Sequence, residues 1–299
     1  MGASLRPRHG DANAVRTPSS LLVIAVAAGL LPYARFLYRE APLARPVTRR
    51  RLDDELRETQ HAPAARRLGL SANDLRARIL DALNIGFFVD AIGSSPVVAT
   101  ARDRHDGALF AEEHLLLDEG DVTVDVTVLV PKDGVDVHPA IVGLHGHSDD
   151  AAGFVRRYMG QELARAGYLV IVPWSRAMDC GPEEEAVSLR LLRNGFALMG
   201  LRVEEALVAI RYLRERADVD RTRIGILGHS GGSSTANLVV RVTDWLAADV
   251  SDHVVDYRDL CEGRVHCETV PALFAISADI NDSGTLKIPH LAEIGRAHV

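Results

Sequence analysis

Three cysteines in 299 residues leave the redox compartment undecided. Cys261 and Cys267 stand near His253 and His266, but their spacing matches no standard zinc pattern, so no metal is expected. The body of the chain has no lysine- or arginine-rich face and the net charge is −7, which argues against a nucleic-acid partner. Internal repeats and low-complexity segments are absent. Near the N-terminus the apolar run LLVIAVAAGLL, Leu21 to Leu31, is too short for a comfortable membrane span. It follows RPRHG and Arg16 and stops at Pro32, the layout of a signal peptide, yet no clean small-x-small cleavage site precedes Arg35 and Arg39. Export, or tethering to a membrane through residues 21–31, is preferred to a cytoplasmic location, with an uncleaved anchor and a buried helix both left open.

With 47% hydrophobic and 25% charged residues the chain has the make-up of a soluble globular enzyme, forming one large domain or two small ones. From Thr48 to about Gly86 it is polar, arginine-rich and helix-compatible, and Ser71 with Asp74 forms a capping-box start. After Gly107 the character changes. LFAEEHLLLDEG and DVTVDVTVLVP are strand candidates joined by a turn at Glu119 and Gly120, with Pro131 closing the hairpin. PAIVGLHGH, GYLVIVPW and RIGILGHS are short continuous apolar runs, as expected of strands buried on both faces of a parallel sheet. AAGFVRRYMGQELARAG and ALMGLRVEEALVAIRYLRERADVD are helical patterns between them. A further helix is expected from Ser233 through Leu246, a short strand at AADV, and another buried strand at ETVPALFAIS. An opening antiparallel hairpin followed by strand–helix alternation predicts an α/β doubly wound, mostly parallel sheet.

Gly228, His229, Ser230, Gly231 and Gly232 satisfy GxSxG between a predicted strand and a predicted helix, the setting a nucleophile elbow requires. Glycines on either side of a strained serine avoid collisions between helix and strand. A glycine-rich turn before a helix can also cradle phosphate, but no lysine precedes Ser233 or Ser234 as a P-loop demands. The other marked feature is GLHGHSDD, Gly143 to Asp150. Its HG pair suits an oxyanion-hole loop in which Gly146 turns the backbone so that the N–H of His147, with that of Gly231, faces a substrate oxygen. Metal ligation and ordinary loop polarity are the plainer readings of His145 and His147.

LHGHSDD, LARAGYLVIVPWSRAM, RVEEALVAIRYLRERADVDRTRIGILGHSGG and VPALFAIS together resemble the α/β-hydrolase superfamily, most closely its branch of dienelactone-hydrolase-like proteins, acetyl xylan esterases and prolyl oligopeptidases. The resemblance spans about Phe110 to His290. It implies an α/β-hydrolase domain at residues 107–292; the residues before it read as a signal-like or anchor segment at 1–40 and a helical extension at 41–106. It also implies a Ser–His–Asp hydrolase with Ser230 as nucleophile, acting on a small-molecule ester without a cofactor. Dienelactone hydrolases themselves carry cysteine at the elbow, so serine points to an esterase. A hydrolase-fold binding protein with a silent Ser230, and a serine peptidase, are the alternatives.

In this fold the order is Ser, Asp, His. Asp279 and Asp282 follow the expected strand at PALFAIS and are equal candidates for the acid, with Asp252 behind them. His290 is too close to Asp282 for an intervening strand, and the sequence ends seventeen residues after Asp282. The last seven residues, EIGRAHV, are what GAG ATC GGA AGA GCA CAC GTC encodes, a sequencing-library adapter. Residues 293–299 are therefore expected to be adapter-derived, with the catalytic histidine beyond a truncation. Trp174, Arg176 and Met178, with Phe196 and Met199, are candidates for the wall of a substrate pocket, Arg176 meeting a carboxylate; packing is the plainer reading of each.

Overall fold

The three continuous apolar runs are strands lying side by side at the centre of one sheet. The structure, a computed structural model, describes residues 54, 68–120, 122–178, 182–251, 270–274 and 279–280. All of these fall within the unit Arg45–Val299. Helices α1 (Ala72–Leu83) and α2 (Gly86–Ala91) lead into strands β1 (Val98–Asp106), β2 (Phe110–Glu119), β3 (Val122–Pro131) and β4 (His138–Leu144). Then come α3 (Ala151–Arg157), α4 (Gly160–Arg165), β5 (Leu169–Pro173), α5 (Pro182–Arg193), α6 (Leu198–Glu215), β6 (Val219–Gly228), α7 (Gly231–Val242), β7 (Ala248–Ser251) and α8 (Pro271–Phe274).

The strand order is β1-β2-β3-β5-β4-β6-β7. β1, β2, β3 and β5 pair antiparallel in succession, whereas β5, β4, β6 and β7 run parallel. Every residue of β4 and β5 is buried. Alternation explains how both faces are covered. Ala140, Val142, Leu144, Leu169 and Ile171 cluster with Val203, Leu207 and Ile210 of α6 and Leu238 and Val239 of α7. Their neighbours Ile141, Val170 and Val172 cluster with Phe154 and Val155 of α3 and Leu163 of α4. Each such side chain contributes about 1.5–3 kcal/mol by leaving water.

The chain winds from β4 outward to β5, then returns to place β6 on the other side of β4. This reversal puts the carboxyl ends of β4 and β6 at the topological switch point, the place where open α/β sheets bind ligands.

Four local expectations are corrected. β1 is a strand although residues up to 106 read as a helical extension; all nine residues are exposed, and its charges protect the sheet edge rather than pack against a core. PALFAIS does not begin as a strand: Pro271–Phe274 is helical, proline being well suited to the first helical position. The helix between β4 and β5 breaks at Met159, which has φ 71°. α7 stops at Val242 rather than Leu246, because Thr243 is extended. Among the described residues no helix is long and apolar enough to cross a membrane; residues 21–31 lie outside them.

Candidate active site

Ser230 sits at the corner between β6 and α7 with φ 49° and ψ −119°, a conformation that L-residues rarely adopt. The flanking glycines follow from close approach. A Cβ on Gly228 would lie 2.6 Å from the carbonyl oxygen of Gly232, and one on Gly232 would lie 2.2 Å from that of Leu144. His229 continues the strand, its N–H donating to the Leu144 carbonyl at 3.0 Å, while its ring stacks on Tyr158 with centroids 4.1 Å apart. Gly231 opens α7, so its amide has no acceptor within the helix and stands at the positive end of the helix dipole.

The loop after β4 packs directly on this corner. A Cβ on Gly146 would come within 2.9 Å of the Ser230 Cβ and 3.1 Å of the His229 carbonyl oxygen. His145 is fully buried, and burial lowers its pKa and keeps the ring neutral. The Ser175 N–H donates to its Nε2 at 3.1 Å; Nδ1 therefore carries the proton and donates to the Gly146 carbonyl, 3.1 Å away. The Ser148 N–H donates to the Met178 carbonyl at 2.9 Å. The loop ends in Asp150, whose carboxylate caps α3 by accepting from the Gly153 N–H at 2.6 Å. One rigid turn thus joins the carboxyl ends of β4, β5 and β6.

His147 faces a charged network. Its Nε2 lies 3.3 Å from Glu184 Oε1, and the same carboxylate pairs with Arg202. The Arg202 side chain is fully buried, and its Nε also donates to the Arg176 carbonyl at 3.0 Å. Arg176 in turn pairs through Nε with buried Glu205 at 2.7 Å. Burial pushes the Glu184 carboxyl up, but the His147 hydrogen bond and the Arg202 cation outweigh it and hold the pKa at about 2. Glu205 moves the other way, raised by burial despite Arg176. A depressed carboxyl stabilises the fold above its unfolded pKa, ordinarily 4.5, and loses that contribution as pH falls toward about 2. Glu184→Gln should therefore flatten the pH 4.5-to-2 limb of a stability profile by roughly 2–3 kcal/mol. Urea midpoints across that range measure it; an unchanged slope would show that the pair is not coupled to folding.

The structure brings Gly146, Gly228, His229, Ser230, Gly231 and Gly232 together, with His147 one residue beyond the contact. Asp279 is 5% exposed, and its carboxylate accepts from the N–H groups of Leu68, Gly69 and Leu70 at 2.9, 2.8 and 3.2 Å. Asp282, Asp252 and residues 253–269, with both cysteines and their neighbouring histidines, lie outside the described residues, as do residues 281–299. Trp174 and Arg176 line cavities. Met178 and Met199 are fully buried, and Phe196 is half-buried. Among the described residues no cluster of three or more His, Cys, Asp or Glu is placed to hold a metal. The sequence reading missed Glu184, Arg202 and Glu205. Their signal was three charged residues on helical stretches that also carry the core's apolar residues.

Residues 124–263 match the model of the dienelactone hydrolase family. YtaP of Bacillus subtilis (strain 168), named as a hydrolase, is 27% identical over 168 residues, 52% of this chain and 54% of its own. The chain spans about half the length of that curated relative. A protein of Bacteroides fragilis NCTC 9343, BF1801, described as an acetyl xylan esterase, superposes with a TM-score of 0.55 at 15% identity, covering 75% of this chain and 68% of that one. An acetyl xylan esterase from Paenibacillus sp. R4 superposes with a TM-score of 0.49 at 15% identity, over 66% of this chain and 63% of the other. The sheet and its neighbours are those of the α/β-hydrolase fold.

Proposed function

With a dienelactone hydrolase family domain at residues 124–263 as premise, we propose that this protein is a serine hydrolase that cleaves carboxylic esters through an acyl-enzyme on Ser230. The observation that carries this reading is the strained Ser230 backbone at the switch point, with Gly146 packed against it. The Ser230 hydroxyl oxygen attacks the ester carbonyl as its proton passes to a general base. Charge then develops on the carbonyl oxygen, which faces the N–H groups of Gly231 and His147. Donors of this kind are each worth about 3–4 kcal/mol in the transition state. The intermediate collapses by releasing the alcohol, which takes the proton from the base. Water, activated by the same base, then frees the acid and restores the serine.

The general base is a histidine oriented by a carboxylate, both following β7 in the chain. Asp279 and Asp282 stand as equal candidates for the orienting acid, Asp279 also accepting from the three amides before α1. The names of the relatives, a hydrolase and an acetyl xylan esterase, favour an acyl ester as substrate. In the full-length protein a fluorophosphonate probe should label Ser230 and leave Ser230→Ala unlabelled. Labelling that survives this substitution, or no labelling of the unsubstituted protein, would overturn the assignment.

A further inference from the structure

The loop that packs on the Ser230 corner is held at almost every residue. His145 Nε2 accepts from the Ser175 N–H, and its Nδ1 donates to the Gly146 carbonyl. The Ser148 N–H donates to the Met178 carbonyl at 2.9 Å, and Arg157 pairs with Asp149. Ser148 and Ala177, in the two loops that this bond joins, have φ 60° and 57°, backbone that persists only where its surroundings enforce it. His147, an oxyanion donor in the esterase reading, is held through its ring, with Nε2 3.3 Å from Glu184 Oε1.

Glu183, Glu184 and Glu185 all stand in the first turn of α5, where a helix N-terminus favours negative charge, but of the three only Glu184 is buried. Its partner on α6, Arg202, is fully buried, and among the described residues Arg202 Nη1 has no hydrogen-bond partner. Such a pair is a poor source of stability. Two buried ions give up hydration that their attraction hardly offsets, and apolar residues of similar volume commonly serve as well or better. What the pair does provide is a fixed acceptor for the His147 ring whose charge is already balanced. A lone carboxylate behind this loop would oppose the negative charge that develops on a substrate oxygen, and the Arg202 cation cancels that opposition.

We propose that Glu184 and Arg202 are positioning residues of the oxyanion hole: they hold His147 by its ring, so that its main-chain N–H stays aimed at the carbonyl oxygen of the substrate. The inference rests on the esterase reading and deepens it. The His147 ring is a tether, donating its Nε2 proton to Glu184, and takes no proton from Ser230. Misaligning a donor that acts chiefly in the transition state lowers kcat and leaves KM nearly unchanged.

Hydrolysis of p-nitrophenyl acetate by a set of variants tests this. His147→Leu, which removes the tether, should lower kcat about tenfold or more with KM within about twofold of the parent. His147→Gln, whose side-chain amide can still donate to Glu184, should recover kcat to within about threefold of the parent. Glu184→Leu combined with Arg202→Met replaces the pair by apolar residues; it should melt as a folded protein and lose as much kcat as His147→Leu. Adding His147→Leu to that pair should cost nothing more, because both changes cut the same tether. In nitrogen spectra of protein labelled with 15N at histidine, the His147 ring should carry its proton on Nε2 and lose that preference in the Glu184→Leu, Arg202→Met variant. A His147→Gln variant as slow as His147→Leu, losses that multiply in the triple variant, a change confined to KM, or a His147 ring protonated on Nδ1 alone would each overturn the proposal. Hydrolysis that is absent from the parent, or that persists in Ser230→Ala, refutes the esterase reading instead, and the nitrogen spectra still decide whether Glu184 holds His147.

Discussion

Ser230→Gly should yield a protein that melts higher than its parent and has lost its hydrolytic activity. A non-glycine residue at φ 49° costs about 1–3 kcal/mol, whereas glycine meets no such steric penalty. Glycine loses about 0.5–1 kcal/mol through the greater freedom of the unfolded chain, so a net gain of about 1 kcal/mol remains. In a domain of this size that raises the melting temperature by about 2–4 °C. Removing a triad nucleophile costs on the order of 10³-fold or more in turnover. Ser230→Ala separates the two effects, since it loses the hydroxyl and keeps the strain. Melts of both variants, with an assay of the hydrolysis of a small acetate ester, decide the matter. A glycine variant no more stable than the alanine variant would remove the strain account, and retained turnover would remove the nucleophile.

Gly232→Ala should have the largest effect on stability. The added methyl would sit 2.2 Å from the Leu144 carbonyl oxygen, 2.6 Å from its carbon and 2.7 Å from the His145 carbonyl oxygen. All three are backbone atoms at the end of a buried central strand, so no flexible side chain can swing aside. Relief requires α7 to lift from β4, separating Ser230 from the loop at Gly146. Overpacking commonly costs 1–3 kcal/mol where side chains can adjust, so about 3 kcal/mol or more is expected here. Gly86→Ala is the control, because nothing lies within 4 Å of its Cβ position at the start of α2. Urea midpoints compare the two. A Gly232→Ala midpoint within about 1 kcal/mol of the parent would mean that the corner does not pack on β4 as described.

The central strands were legible because burial on both faces leaves nothing but apolar residues, as in PAIVGL and LVIV. The corner at Ser230 was legible for a steric reason, since a Cβ on Gly228 or Gly232 would lie less than 3 Å from backbone atoms packed against it and only glycine fits. β1 was not, because an exposed edge strand has no buried face and hence no alternation to read. Nor was the charged network behind His147. Glu184, Arg202 and Glu205 are on helices whose spacing would also suit solvent-facing pairs, and only the packing of α5 and α6 turns them inward.

Asp279 also sets an order of assembly. Its carboxylate grips amides at Leu68, Gly69 and Leu70, some 210 positions earlier in the chain. At synthesis rates of about 5–20 residues per second, the arm before α1 waits roughly 10–40 s on the ribosome for the residue that fastens it. The sheet can assemble in that interval, so residues 68–70 are among the last pieces to be latched.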